Sequence, residues 1–352
     1  MTEMTSRDRV LAAAHRQVPD RVPRTIPLEH GVSELLKAYL GVAELEQYLK
    51  VDMTWVEPNP TVLKTNFSQF FPRAGVTWDE WGRGRIWDKE DHYAEYLYSL
   101  EKAERPDEIL AYPWPDFSMA YRYEGMPEKV AAIQAQGQAV IGSLEETVFE
   151  IAWQLRSMER LFQDIIFNDE KAPLLLDLIT ERQIAKARAF ATAGVDLICT
   201  GDDVAMQNGL LMSHKMWKQW FRPRLERVIH AAREIKPEVL IWYHSDGKIN
   251  DLVPDLISVG VDILNPVQPE CVDHRWIKAT FGDRLSFSGG LGVQSILPFG
   301  TPEEVRMHVK QTIEILGKGG GLIVGPSHVI ERDTPIENIL AMLDAIDQYG
   351  KY

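Results

Sequence analysis

The feature that most constrains this chain is a rhythm. Short apolar runs, each followed by a helical stretch, recur near residues 24, 54, 141, 198, 241, 263, 287 and 323. A short apolar run crosses a buried sheet once, and the helix after it carries the chain back outside, so successive strands come out parallel. Eight such units favour closure into a barrel over an open sheet. No Gly-x-Gly-x-x-Gly follows the first strand, which removes the main cue for a dinucleotide-binding fold. The expectation is an α/β chain folded as a (β/α)8 TIM barrel. A length of 352 residues would admit two domains, but one barrel domain spanning residues 1–352 accounts for it. The rhythm breaks at residues 68–117, where Trp78, Trp81, Trp87, Tyr93, Tyr96 and Tyr98 alternate with polar residues. That pattern predicts antiparallel strands over 76–81, 84–89 and 92–97, an inserted lobe. Its aromatic density fits packing of the lobe itself or a lid over a flat ligand.

Charge narrows the partners. Lys and Arg number 38 against 52 Asp and Glu, a net charge of −14. Such a surface repels phosphate backbones and anionic lipid, which argues against nucleic acid and membrane. The N-terminal residues lack an apolar segment of the kind a secretory leader needs, and Cys199 and Cys271 are the only cysteines. Both point to a cytoplasmic, reducing location.

In a barrel of this kind, chemistry gathers where strands end. The residues there are Glu29 and His30; Glu57; Glu145 and Glu146; Asp202 and Asp203; His244 and Asp246; Asn265 and Gln268; Gly289 and Gly290; Ser327 and His328. Helix capping explains a few of them, not so many. His244-Ser-Asp246 sets an imidazole and a carboxylate two apart, so both can face one metal; His328 would be a third ligand. The plainer reading is a hydrogen-bonded histidine and a helix cap. Cys271 would be a soft ligand, though a lone loop cysteine is more often incidental. Asp202 and Asp203, with Glu146 and His244, are the expected catalytic groups. Glu29, His30, Glu57, Asn265 and Gln268 are the expected substrate contacts. Gly289-Gly290 would admit a ligand close to backbone, or simply make a tight turn.

These residues sit within a longer series of motifs. It opens with Thr5-Ser-Arg-Asp-Arg-Val-Leu-Ala-Ala-Ala-His and Pro19-Asp-Arg-Val-Pro23. It continues with Gly201-Asp-Asp203, Tyr243-His-Ser-Asp-Gly247, Val261-Asp-Ile-Leu-Asn-Pro-Val-Gln-Pro269 and Gly325-Pro-Ser-His328. In this order they resemble the uroporphyrinogen decarboxylase superfamily, in its branch of corrinoid- and methylcobamide-dependent methyltransferases. The resemblance implies a barrel fold and methyl transfer. The decarboxylase itself carries an arginine after its first strand; here that segment is Pro27-Leu-Glu-His-Gly31, and Glu57 stands where its catalytic aspartate would be. The thiol-activating methyltransferases hold zinc with His-x-Cys and a later Cys. Here His244 matches the histidine, Asp246 replaces the first cysteine, and Ser327–His328 fall at the last position. A nitrogen and oxygen set suits Lewis-acid work on an oxygen better than activation of a thiolate.

The expected activity is therefore zinc-assisted transfer of a methyl group from a small methoxylated donor to a corrinoid carried by a partner protein, O-demethylase-like. Four readings compete with it or leave it incomplete. One is a cofactor-independent decarboxylase, for which Arg222 and Arg224 are the nearest cations. Another is a non-catalytic corrinoid- or partner-binding protein, although no Asp-x-His-x-x-Gly signature of a corrinoid carrier is present. A metal-dependent hydrolase on the same barrel would share the ligands without the motifs. Assembly as a homodimer stays open.

Overall fold

The computed structural model describes residues 3–87 and 94–352. Seven parallel strands form one curled sheet: β1 (Met53–Val56), β5 (Ala139–Ser143), β6 (Leu197–Gly201), β9 (Leu240–His244), β10 (Ile263–Asn265), β11 (Ser286–Leu291) and β12 (Leu322–Pro326), hydrogen-bonded in that order. Between β1 and β5 lie β2 (Thr77–Trp78), β3 (Arg83–Trp87) and β4 (Ala94–Tyr98), which pair antiparallel. Between β6 and β9 lies a small hairpin, β7 (Ala205–Met206) and β8 (Gly209–Leu210).

The predicted first strand is the eighth stave, in a looser form. Residues 23–28 bridge to β12 and just beyond it: Thr25 N–H donates to Val324, Val324 N–H to Pro23, and Ile330 N–H to Pro27. Toward β1 one backbone-to-backbone hydrogen bond is made among the described residues, from the Asp52 N–H to the Arg24 carbonyl at 3.0 Å. Two prolines in six residues remove donors, so no regular ladder forms there. The chain is thus a (β/α)8 TIM barrel, with an antiparallel lobe inserted as expected. The parts of the predicted lobe strands at 88–93 lie outside the described residues.

The helix α1 (Ser6–Ala14) floors the barrel. Its Val10, Ala13 and Ala14 pack with Met53, Ala139, Leu197, Leu240 and Ile263, the first residues of their strands. The outer faces of the staves pack under the surrounding helices in a larger cluster. The barrel's two ends are therefore unlike: the floor is filled, and the mouth is left for side chains that do something else.

The sequence patterns at 147–167 and 214–236 each read as one long helix, and each forms two. Residues 147–167 divide at Ser157, whose φ of 67° is left-handed and whose hydroxyl caps the second piece. Residues 214–236 divide at Phe221, ahead of the Arg222-Pro223 helix start, because Pro fits a first turn and not an interior. Among the described residues no helix is long and apolar enough to cross a membrane.

Candidate active site

The strand ends converge on a cavity of about 420 Å³. Its polar wall carries Glu145, Glu146, Glu150, Asp203, His244, Asn265 and His328; its apolar wall carries Pro27, Trp55, Cys199, Trp242, Pro326 and Val329. Among the described residues no lysine or arginine lines it. Gly201 brings two strand ends together: its φ is +149°, and a Cβ there would fall 1.9 Å from the His244 carbonyl oxygen. Gly289 serves packing in the same way, since a Cβ would meet the Pro266 carbonyl at 2.4 Å.

His244 is the centre of the arrangement. The Asn265 amide nitrogen points to the Ser288 carbonyl at 3.4 Å, which turns its Oδ1 toward His244 Nδ1 at 2.6 Å. Nδ1 then carries the proton, and Nε2 offers its lone pair to the cavity. Nε2 stands 3.8 Å from Asp203 Oδ1 and 3.9 Å from Asp246 Oδ1. One donor atom from each of the three residues fits within 4.8 Å of the others. Asp203 Oδ1 also accepts the Asp246 N–H at 2.7 Å, which ties two strand ends together. Asp246 Oδ1 is buried with no hydrogen-bond partner. A buried carboxylate oxygen without a donor is costly unless a cation faces it. The residues therefore fit a divalent cation bound by one imidazole and two carboxylates.

The remaining expected residues divide. His328 lines the cavity with its ring centre 6.5 Å from that of His244, beside the three-residue cluster and not within it. Asp202 is buried, and its oxygens accept the backbone N–H of Thr147, Val148 and Glu150 instead of facing the cavity. Gln268 is buried, takes the Gly247 N–H, and lines an adjoining hollow with Asp246, Ser327 and His328. Glu29 caps the helix α2 (His30–Leu40) and pairs with Arg332 at 3.3 Å. His30 and Glu57 are exposed and line neither space. Cys271 is buried in a loop, its thiol 3.5 Å from Gln268 Oε1, and is not part of the Asp203, His244 and Asp246 cluster.

Four residues outside the expected set contribute. Glu150, in the first turn of the helix Phe149–Arg156, takes the Asp203 N–H at 2.8 Å. Burial, then the charges of Asp203 and Asp202, raise its carboxyl well above the ordinary range. Trp55 and Trp242 meet edge to face at 6.1 Å in the apolar wall. Arg83, from the inserted lobe, donates to Glu146 at 2.8 Å and approaches Glu145 at 3.4 Å. Burial works to raise Glu146, but Arg83 overcomes it and leaves that carboxyl low; Glu145 is raised, chiefly by burial. Burial also raises Asp246, against the pull of His244.

A parallel barrel with metal-type donors at its mouth defines a class of enzyme scaffold; sequence comparison defines the family. The pattern of the uroporphyrinogen decarboxylase (URO-D) family matches residues 128–349, more than half of the chain. The chain belongs to that family. Methylcobamide:CoM methyltransferase MtaA of Methanosarcina barkeri is 30% identical over 210 residues, 60% of this chain and 58% of the relative. The same-named protein of the Fusaro strain is 24% identical over 99% of both chains. The solved structure of a methyltransferase from Methanosarcina mazei shares the fold, with a TM-score of 0.68 over 99% of both chains at 21% identity.

Proposed function

We propose that this protein is a metal-assisted methyltransferase that moves a methyl group from an uncharged methoxylated donor to a corrinoid carried by a partner protein. The observation that carries the proposal is the convergence of Asp203, His244 and Asp246 on a cavity that no lysine or arginine lines among the described residues, with the Asp246 Oδ1 left without a partner there. Full-length similarity to proteins named methylcobamide:CoM methyltransferases supports methyl transfer and a corrinoid partner. A divalent cation such as Zn²⁺ held by these three residues would supply Lewis-acid polarisation of the donor's oxygen.

The chain's own groups do the rest. Asn265 fixes the His244 tautomer and ring plane. Trp55 and Trp242 offer an apolar face to the donor's carbon frame and keep water from the methyl group. Arg83 neutralises Glu146, so the lobe completes the polar wall. His328, across from His244, is placed to orient the departing oxygen. A substrate with many carboxylates would face the acids of Glu145, Glu146, Glu150 and Asp203, more charges than one bound cation offsets, which disfavours a porphyrinogen.

The test is elemental analysis of the purified protein, followed by incubation with a reduced corrinoid and a panel of methyl ethers, reading methylcobalamin formation in the visible spectrum. About one bound divalent cation per chain and methylation from at least one ether are expected, both lost in His244→Ala. A metal-free protein whose activity survives that substitution overturns the reading.

A further inference from the structure

The barrel wall is breached. Past the single bond from Asp52 to Arg24, no backbone hydrogen bond among the described residues joins 25–28 to β1. The two staves splay, and a second space of about 380 Å³ opens between them. It runs through the wall, not along it. Met53 and Trp55 line it from within, Met53 packing with the barrel floor. Ile26, Leu45 and Leu49 line it and belong to the outer packing layer. Leu45 and Leu49 come from the short helix α3 (Glu46–Leu49) and the residue before it, which close the slit from outside. The space shares Thr25, Pro27 and Trp55 with the central cavity, so the two adjoin at the Trp55 ring. The lone lysine at its outer rim, Lys37, is engaged by Glu34 at 3.1 Å.

We infer that this slit is a side arm of the active site that takes an uncharged apolar arm, alkyl or aryl, of the same substrate. Glu44, Glu46 and Lys37 sit at its rim, and inside them the wall is mostly aliphatic, Ile26, Leu28, Leu45, Leu49, Val51 and Met53, a surface that rewards burial of hydrocarbon. Because the two spaces adjoin at Trp55, a substrate whose reacting group sits at His244 would pass its arm beside that ring. The inference rests on the methyl-transfer reading only for the identity of the reacting group; the arm's binding stands apart from it. It also enlarges the substrate beyond a small methoxylated molecule.

The experiment titrates the full-length protein with 4-n-alkylphenols, from methyl to hexyl, by calorimetry. In the wild type each added methylene is expected to tighten binding about threefold to fourfold until the slit is full. Met53→Trp, which fills the slit from inside, is expected to flatten the series and leave 4-methylphenol unchanged. Leu45→Ala, a truncation at the outer wall that keeps the fold, is expected to extend the rise to longer chains. A flat series in the wild type, or a series that neither variant alters, overturns the inference. The matching 4-n-alkylanisoles separate the two proposals. Chain-length-dependent binding without methyl transfer from any anisole keeps the side arm and sinks the methyl donor. Methyl transfer from 4-methylanisole without chain-length dependence does the opposite.

Discussion

The two ends of the barrel use the same residue type to opposite purposes. At the floor, Asp52, Asp196 and Asp262 each stand immediately before a strand, and each takes an arginine and the backbone N–H of the neighbouring stave. Arg21 grips Asp52 at 2.7 Å while the Arg24 N–H donates to it at 2.8 Å. Arg7 and the Val140 N–H hold Asp196 at 2.8 and 3.0 Å. Arg233 and the Ile241 N–H hold Asp262 at 2.8 and 2.7 Å. At the mouth, Asp203 and Asp246 have no arginine, and one oxygen has no donor at all. An acid whose partners are built into the chain locks strands together; an acid left short of partners costs stability until something binds it. The difference teaches where this molecule stores affinity.

Several substitutions test that contrast. His244→Ala should cost most, removing the bound cation and lowering methyl transfer at least about 10³-fold, or about 4 kcal/mol of barrel-mouth chemistry. Its urea stability should change little, and a large loss there would erase the distinction between ends. Asp52→Ala should do the reverse, costing about 3–5 kcal/mol of stability in urea unfolding because it strands a charge beside a fully buried site. Its cation content should stay as in the wild type. Asn265→Ala should weaken cation binding about 10–100-fold in chelator competition, with the fold intact, because it frees the His244 ring. Equal cation affinity would show that the hydrogen bond does not orient the ligand.

The smallest effect is on pH dependence, and the ends should again oppose each other. Arg9 draws Asp20, beside the floor, down to about 2. That group stabilises the fold above the ordinary carboxyl value near 4, and its contribution is lost as pH falls through about 2. Burial raises Asp246. Its proton stabilises the cation-free fold below about 4, and that contribution is lost as pH rises through the folded value. Urea midpoints of cation-free protein from acid to neutral pH should therefore fall off on both sides. Asp20→Asn should remove the acid-side decline and Asp246→Asn the neutral-side one; unchanged profiles in both would break the contrast.

The barrel was legible because apolar runs and helices alternate along nearly the whole chain, and strand ends follow from that alternation. His244, Asp246, Asp203 and Asn265 were legible for the same reason, since each directly ends or follows a strand. Which of two adjacent acids faces the cavity was not: Asp202 and Asp203 differ only in how the chain turns at Gly201. Glu29 and Glu57 follow strands too, yet Glu29 is taken by Val32 and Arg332. A signal for the floor was present in the triplets Val51-Asp-Met, Val195-Asp-Leu and Val261-Asp-Ile, whose spacing matches no local motif and shows its meaning only once the strands are side by side. The slit depends on the absence of hydrogen bonds between staves, and proline alone does not say on which side a ladder fails.

Asp202 carries one more consequence. The first turn of the helix Phe149–Arg156 is satisfied by a carboxylate more than fifty residues later in the chain. During synthesis, a chain that has passed Arg156 but not yet reached β6 holds this turn with its amides exposed. Only after β6 has been made and has docked on β5 can Asp202 arrive. The part of the polar wall that holds Glu146 and Glu150 therefore takes its final form only once β6 lies beside β5, and a chain truncated before residue 202 should leave the first turn of that helix uncapped.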